Sequence, residues 1–167
     1  NVGLMVSGNA RFKPCTPHGV IKMIEDAGVE TEGKDVTVVG RSNIVGKPVA
    51  NMLMQKTDTG NATVTVCHSR TQNLEEKTKN ADIVIAAAGV PEMIDGSMLS
   101  AGQTVIDVGT NRVDDELVGD VDFESAKDVV DAISPVPGGV GPMTITMLLY
   151  NTVKAAGLQN DIDVELP

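Results

Sequence analysis

Short β-branched segments alternate with helical patterns along this chain, and this alternation restricts the possible folds more than any other feature. The first segment, DVTVVG at residues 35–40, predicts a buried strand that ends in glycine, and a helical pattern follows over residues 44–56. Further strands are predicted at residues 62–68, 81–89, 103–109 and 129–136. Strands that alternate with helices form right-handed crossovers. The sequence therefore predicts an α/β fold, a Rossmann-like doubly wound parallel sheet with helices on both faces.

The clearest helix signal lies near the start of the chain, in TPHGVIKMIEDAG at residues 16–28. Thr16 is the expected N-cap and Gly28 follows the last turn. The helical spacing predicts an inward stripe made of Val20, Met23, Ile24 and Ala27. Residues 1–8, by contrast, are expected to be extended or irregular.

Two more helices are predicted from sequence pattern. Residues 73–80 indicate a short polar helix capped by Thr71 or Asn73. The last helix is expected at residues 141–157. Its i, i+3, i+4 spacing predicts a buried face made of Ile145, Leu148, Leu149, Thr152 and Val153.

With 167 residues the chain is long enough for one domain with a sizeable core. We expect a lead-in segment at residues 1–15, a Rossmann domain at residues 16–157 and a polar tail at residues 158–167. Because the first residue is Asn1 rather than Met, we expect a fragment of a longer protein.

The net charge of −10 disfavours nucleic acid and anionic membranes as partners. The only cysteines, Cys15 and Cys67, lie far apart and have no metal-type spacing, so we expect no structural metal. The sequence shows neither a signal peptide nor an apolar stretch of membrane-spanning length. We therefore expect a cytoplasmic protein without a membrane partner.

The first strand runs into GRSNIVG, a variant of the glycine-rich turn that binds dinucleotides. Gly40 matches the first glycine of that motif, Ser42 takes the place of the second, and Gly46 falls one residue beyond the third. Backbone N–H groups and the dipole at the helix start favour a phosphate there. A glycine turn required only for packing is the alternative, and it stays open.

The end of the second strand, CHSRT, has no acidic residue until Glu75. An NAD enzyme places Asp or Glu near this point to hold the ribose 2′-hydroxyl. Ser69, Arg70 and Arg41 instead favour a 2′-phosphate, because guanidinium and hydroxyl groups bind phosphate oxygens. The sequence thus favours NADP over NAD, and ordinary surface arginines remain the alternative.

Two later features have structural as well as functional interpretations. Asp107 is expected to be a buried carboxylate that accepts hydrogen bonds from loop N–H groups. The segment SPVPGGVGPMT, residues 134–144, is too rich in proline and glycine for regular structure. It is either a wall of a substrate site or a tight turn before the last helix, and spacing alone does not decide.

These segments together resemble the methylenetetrahydrofolate dehydrogenase/cyclohydrolase family. The matching pieces are PCTPHG, GRSNIVGKP, HSRT, ADIVIAAAG, VIDVGTN, GDVDF and PVPGGVGPMTITMLLYNT, and they cover nearly all of residues 1–157. The resemblance is to the NADP-binding second half of the family.

The resemblance implies an enzyme that oxidises 5,10-methylenetetrahydrofolate with NADP and hydrolyses the product to 10-formyltetrahydrofolate. It also implies a homodimer, a place in one-carbon metabolism and purine biosynthesis, and a folate site shared with an N-terminal domain. The family's catalytic residues belong to that domain, so the resemblance implies no catalytic residue in this chain and no activity of the fragment alone.

Site residues follow from the resemblance position by position. Gly40, Arg41 and Ser42 are expected at the cofactor phosphates, Ser69 with Arg70 at the 2′-phosphate, and Thr110, where many relatives have Ile, beside the nicotinamide. Pro137 to Ile145 are expected to border the folate cleft. The expected substrate-binding residues are Pro137, Gly138, Gly139, Val140 and Gly141.

Three other interpretations remain. Tyr150 and Lys154 have the spacing of a short-chain reductase pair, yet they lie on the last helix. Tyr150 is nine residues beyond its start, about 13 Å at 1.5 Å per residue, so we expect a structural role for both. A stand-alone NADP-binding or regulatory module shares every cofactor residue with the interpretation above. A folate-independent dehydrogenase with a similar domain is disfavoured by PVPGGVGPMT.

Overall fold

A computed structural model describes residues 1–165, so Leu166 and Pro167, the end of the predicted polar tail, lie outside the described residues. The strands are β1 (Asp35–Val39), β2 (Thr63–Cys67), β3 (Ile83–Ala86), β4 (Thr104–Asp107), β5 (Asn111–Val113), β6 (Glu116–Val118) and β7 (Ala132–Ile133). The α-helices are α1 (Val2–Val6), α2 (Cys15–Asp26), α3 (Gly46–Leu53), α4 (Leu74–Lys79), α5 (Phe123–Ala126) and α6 (Val140–Gln159).

Five of the strands form one parallel sheet in the order β2-β1-β3-β4-β7. The first strand lies inside the sheet, and the chain moves outward from it in both directions, as in doubly wound folds. This arrangement confirms the predicted Rossmann-like α/β fold. All five predicted sheet strands are present, each shorter at its ends than the sequence pattern indicated.

Alternate residues of the central strands face opposite sides of the sheet and supply two separate cores. Val36, Val38 and Ile85 pack with α1, α2 and α3 on one side. Val39 and Val84 pack on the other side with residues of the later loops and α5. Burial of each such side chain contributes about 1.5–3 kcal/mol, which explains why nearly continuous apolar runs form these strands.

Helix α2 begins at Cys15, two residues earlier than a cap at Thr16 predicts, and Thr16 is not its N-cap. Pro14 holds the cap position, and Thr16 lies inside the first turn, where its hydroxyl contacts that of Thr144 at 2.9 Å. The stripe is also narrower than predicted. Val20 and Ile24 are buried and Met23 is half-buried, whereas Ala27 is exposed at the helix end.

The predicted buried face of α6 is wrong. Ile145, Leu148 and Leu149 are 63%, 57% and 62% exposed. The other two residues predicted for that face, Thr152 and Val153, are exposed as well. We call Ile145, Leu148, Leu149 and Val153 the apolar face of α6.

Contact with α2 decides which side of α6 is buried. The helices cross closely at Gly19, where a Cβ atom would lie 3.1 Å from the Met143 Cβ. The inward side therefore carries Met143, Met147 and Tyr150, spaced i, i+4 and i+7. Apolar residues occupy almost every side of α6, so periodicity alone does not single out the buried one.

Several short elements were not expected from the sequence. Residues 2–6 form α1 rather than an extended segment, and Met5 is 2% exposed in the first core. The antiparallel hairpin β5–β6 turns at Asp114 and Asp115, both in the left-handed region. Neither suggested side-chain cap of α4 is present: Asn73 is itself left-handed, and the Thr71 hydroxyl accepts from the His68 N–H.

Among the described helices, none combines the length and apolar character needed to cross a membrane.

Candidate dinucleotide-binding site

The turn after β1 packs so closely that it requires glycine at two positions. Gly40 has φ of +124°, and a Cβ atom there would lie 2.0 Å from the Ala87 carbonyl oxygen. A Cβ atom at Gly46 would lie 2.3 Å from the Gly40 carbonyl oxygen. Packing therefore requires glycine at both positions whether or not a ligand binds, and the same approach brings the turn against the start of α3.

Ser42 organises the N-terminus of α3 through its hydroxyl. Its Oγ accepts hydrogen bonds from the Val45 N–H at 3.0 Å and from the Gly46 N–H at 3.3 Å. The hydroxyl hydrogen remains free to be donated, and the helix dipole adds positive potential. The turn thus has the groups that bind a phosphate at a helix N-terminus.

A cavity of about 420 Å³ opens beside this turn at the carboxyl ends of β1, β2 and β3. It brings together Gly40, Arg41 and Ser69, which the sequence analysis assigned to one cofactor. Arg70 and Ser42 do not line it, and Arg70 is exposed. We call this the adenosine-side cavity. Its lining residues are Val39, Gly40, Arg41, His68, Ser69, Thr71, Leu74, Ala88, Val90 and Met93.

Among residues 1–165, no acidic side chain lines the adenosine-side cavity. Within residues 1–165, Arg41 and Arg70 form no ion pair, so their charges are not neutralised by a protein carboxylate. His68 is a wall residue to which the sequence analysis gave no role. Its Nδ1 accepts the Arg70 N–H at 3.2 Å and shapes the turn that carries Ser69. Its position directly after β2, at a strand end, is the sequence signal that could have identified it.

A second cavity, of about 330 Å³, lies further along the same edge of the sheet. It joins Thr110, predicted beside the nicotinamide, to Pro137, Gly138, Gly139, Val140 and Gly141, predicted for substrate binding. Leu117 of the hairpin also lines it and was not predicted. We call this the nicotinamide-side cavity.

The PVPGG loop is both a cavity wall and a tight turn, so the two interpretations left open by the sequence are compatible. The Val136–Pro137 peptide is cis, and a Cβ atom at Gly139 would lie 2.5 Å from the Pro135 carbonyl oxygen. Val140 is 4% exposed and packs in the first core. Its side chain therefore anchors the loop more than it lines the opening.

Asp107 is a buried structural carboxylate, as predicted. Its Oδ1 accepts from the N–H groups of Gly109 and Asp120 at 2.9 and 3.0 Å, and its Oδ2 accepts from Val121 at 2.9 Å. Burial raises the pKa of Asp107, and these hydrogen bonds oppose the rise. Asp82 lies at the opposite end of the sheet, where it accepts from the Asp35 N–H at 2.9 Å.

Tyr150 and Lys154 contact other parts of the molecule, on the α2 side of α6. The Tyr150 ring meets His18 edge to face at 5.3 Å, and the Lys154 ammonium lies 6.0 Å from the centre of the Phe12 ring. Neither residue lines the two cavities at the sheet edge. Tyr150 lines a different cavity, of about 550 Å³, between α2 and α6.

No group of three metal-ligating side chains occurs among residues 1–165.

The fold and the edge cavities define a class of protein. A glycine turn at a helix N-terminus, an arginine and a serine on neighbouring strand ends, and a second cavity along the same edge are the features of a Rossmann-type dinucleotide-binding domain. The sequence profile of the tetrahydrofolate dehydrogenase/cyclohydrolase NAD(P)-binding domain matches residues 14–160. This chain belongs to that family.

Relatives agree with the profile over the whole chain. The chain is 71% identical to bifunctional protein FolD 1 and 73% identical to FolD 2 of Haloarcula marismortui, each over 100% of this chain and 58% of the relative. It is 69% identical to bifunctional protein FolD of Natronomonas pharaonis, with the same coverage. The chain thus spans little more than half the length of the curated relatives it matches.

Solved structures show the same relation. The bifunctional FolD methylenetetrahydrofolate dehydrogenase/cyclohydrolase of Campylobacter jejuni superposes with a TM-score of 0.89 at 48% identity, over 95% of this chain and 55% of that one. The FolD of Trypanosoma brucei, in complex with NADP and an inhibitor, superposes with a TM-score of 0.85 at 42% identity, over 92% and 54%.

Proposed function

We propose that this chain is the NADP-binding domain of a bifunctional enzyme, a methylenetetrahydrofolate dehydrogenase and methenyltetrahydrofolate cyclohydrolase. The enzyme oxidises 5,10-methylenetetrahydrofolate to 5,10-methenyltetrahydrofolate and hydrolyses it to 10-formyltetrahydrofolate. The observation that carries the proposal is the adenosine-side cavity, where Arg41 and Ser69 meet Gly40 and the described part of the chain places no carboxylate in the lining. Membership of the family and the NADP complex of the Trypanosoma brucei relative support it.

In the proposed complex the cofactor lies across the carboxyl edge of the sheet. Gly40, Arg41 and Ser42 hold its phosphates, and Arg41 also reaches the 2′-phosphate, which Ser69 binds with Arg70 beside it. Thr110 borders the nicotinamide in the second cavity. The residues present fit such a group, because a cavity opens beside the glycine turn and Arg41 and Arg70 form no ion pair among residues 1–165, so their positive charge is available to phosphate.

The bound NADP would accept a hydride from the folate. This chain's own part is to orient the cofactor and to border the folate with Pro137 to Gly141, as the second cavity suggests. We further propose that the folate site is completed by a second domain that carries the catalytic residues. The 167-residue chain alone is then expected to bind NADP and to catalyse neither reaction.

Calorimetric titration with NADP and NAD tests the cofactor assignment. We expect tighter binding of NADP, and Arg41→Ala to weaken NADP about 10- to 100-fold while changing NAD much less, since a charged hydrogen bond contributes about 1.5–3 kcal/mol. Arg11→Ala, at an exposed arginine before α2, is the matched control. Tighter binding of NAD by the unchanged chain would overturn the roles given to Arg41, Ser69 and Arg70.

We also propose that the protein is a cytoplasmic homodimer that serves one-carbon metabolism and purine biosynthesis. The apolar face of α6 supports a subunit contact, because contiguous exposed apolar side chains are typical of interfaces. Sedimentation velocity across micromolar concentrations tests this proposal. A monomer throughout that range would contradict the dimer.

A further inference from the structure

A second buried aspartate, Asp120, accepts four hydrogen bonds, three from the loop after β3 and one from the first residue of β5. Its Oδ2 accepts from the N–H groups of Ala88 at 2.6 Å and Gly89 at 2.8 Å. Its Oδ1 accepts from the Val90 N–H at 3.0 Å and the Asn111 amide at 2.9 Å. The residue is 0% exposed. The sequence analysis gave Asp120 no role, although it lies in GDVDF, one of the pieces that resemble the family.

Asp107 lies directly behind Asp120 and completes what we call the two-aspartate hub. Asp107 accepts from the backbone N–H of Asp120, so one carboxylate fixes the residue that carries the other. Two glycines allow this close approach. A Cβ atom at Gly109 would lie 2.3 Å from the Asp120 nitrogen, and one at Gly119 would lie 1.8 Å from the Asp107 Oδ2.

The loops held by Asp120 form walls of both cavities at the sheet edge. Ala88 and Val90 line the adenosine-side cavity. Thr110, the neighbour of Asn111, lines the nicotinamide-side cavity together with Asp107 and Leu117. The carboxylate of Asp120 therefore ties a wall of one cavity to a wall of the other.

We propose that Asp120 is a positioning residue that sets the spacing between the two halves of the dinucleotide site. This inference rests on the proposed NADP function. Three consecutive N–H groups, those of Ala88, Gly89 and Val90, form an anion-binding concavity at the end of β3. Asp120 fills that concavity, so the cofactor phosphates are directed to the turn after β1, where Ser42 and the start of α3 are available.

The test compares NADP⁺ with adenosine 2′,5′-bisphosphate, which keeps the adenosine and the 2′-phosphate but lacks the nicotinamide half. In Asp120→Asn the amide replaces one acceptor oxygen with a donor that faces N–H groups. We expect calorimetry to show NADP⁺ weakened at least tenfold and the bisphosphate weakened no more than threefold, because Arg41 and Ser69 still hold the latter. Equal weakening of both ligands means a merely structural role and overturns the proposal.

Two further variants complete the experiment. Asn111→Ala removes one donor and leaves the carboxylate. It is expected to lower the affinity for NADP⁺ relative to that for the bisphosphate, by a smaller factor than Asp120→Asn does. If Asp120→Asn does not fold, this variant provides the test. Asp82→Asn, at a carboxylate that accepts a backbone N–H at the opposite end of β3, should leave the ratio unchanged. An unchanged ratio in Asn111→Ala and Asp120→Asn overturns the positioning role alone, whereas failure of the unchanged chain to bind either ligand overturns the proposed function as well.

Discussion

His18 is a buried imidazole in the contact between α2 and α6. It is 5% exposed, and its Nδ1 has no hydrogen-bond partner among the described residues. Burial lowers the pKa of His18 to about 4, and the charges of Lys13, Lys22 and Lys154 act in the same direction while Glu25 opposes them. The Tyr150 ring, nearly perpendicular to the imidazole, completes its surroundings. His18 therefore favours its neutral form throughout the neutral pH range.

The first prediction is that His18 makes the fold sensitive to acid. A folded-state pKa below the ordinary value of 6.5 means that the unfolded chain binds the proton more tightly. The contribution of His18 to stability is fully present above pH 6.5 and is lost as the pH falls toward 4. At about 1.36 kcal/mol per pKa unit, the loss approaches about 3 kcal/mol. Urea unfolding between pH 7 and pH 4 measures it.

His18→Phe keeps an aromatic ring against Tyr150 and should flatten the pH dependence of stability over that range. His68→Phe, at the other histidine of the chain, is the matched control and should keep the slope of the unchanged protein. Parallel stability curves for His18→Phe and the unchanged protein would contradict the prediction.

The second prediction concerns Gly46, whose substitution tests the close approach at the turn after β1. Alanine normally favours a helix over glycine, yet the added Cβ of Gly46→Ala would lie 2.3 Å from the Gly40 carbonyl oxygen. We expect a loss of about 1–3 kcal/mol in the free energy of unfolding, as for other overpacked sites. Denaturant titration measures the loss.

Gly141→Ala in α6 provides the matched case, because a Cβ atom there would approach no described atom within 4 Å beyond its chain neighbours and the adjacent helix backbone. It is expected to be neutral or slightly stabilising. If Gly46→Ala were equally neutral, the turn would be looser than the structure shows.

At the scale of the element, α6 shows that helix type and helix orientation depend on different information. Its existence was predicted within a few residues from apolar periodicity and the proline–glycine run before it. Its buried side was not, because close contact with α2 at Gly19 turns Met143 and Met147 inward rather than Leu148 and Leu149. A pattern that is apolar on most sides does not determine which side packs inward.

The third prediction follows from that orientation. Met147 is 5% exposed and Leu148 is 57% exposed, although they are adjacent. Met147→Ala should lower the free energy of unfolding by about 2–4 kcal/mol, since it leaves a cavity in the contact with α2. Leu148→Ala should change it by less than about 1 kcal/mol under conditions where the chain is monomeric. Thermal and urea unfolding of both variants measure the difference, and the reverse order would mean that α6 is rotated.

At the scale of the whole molecule, the net charge of −10 acts on every element. Within residues 1–165 the five ion pairs all involve side chains at least 36% exposed, so each contributes about 0–1 kcal/mol. Salt screens both the attraction within these pairs and the repulsion among the excess acidic groups. Because the pairs contribute so little, the screening of the repulsion is the larger effect.

The fourth prediction is that salt stabilises this protein. Raising KCl from about 20 mM to about 300 mM shortens the screening length from roughly 20 Å to below 10 Å and weakens the repulsion in the compact state. We expect an increase of about 1 kcal/mol in the free energy of unfolding, measured by thermal denaturation. Sorbitol of equal osmolality is the control. A melting temperature that falls with KCl would show that the exposed ion pairs dominate instead.

Much of the fold and part of the site were predictable from local sequence. The β-branched runs and the signals at their ends predicted the parallel sheet, because strand formation and strand burial depend on side chains within a few residues. The strand ends also predicted that Gly40, Arg41 and Ser69 would meet. The hairpin β5–β6 was missed, since its strands are only three residues long and mostly exposed, too short to show an alternating apolar pattern.

The sequence by itself determined the doubly wound class, the order of its main elements and the chemical character of the edge cavities, because these depend on local pattern and on rules that govern all parallel sheets. Only the tertiary structure decided which side of α6 is buried, where Tyr150 and Lys154 lie, and that Asp120 joins the walls of two cavities. These features depend on contacts between residues distant in the chain, such as Ala88 with Asp120 and Gly19 with Met143. The three-dimensional packing, and not the spacing along the chain, determines such contacts.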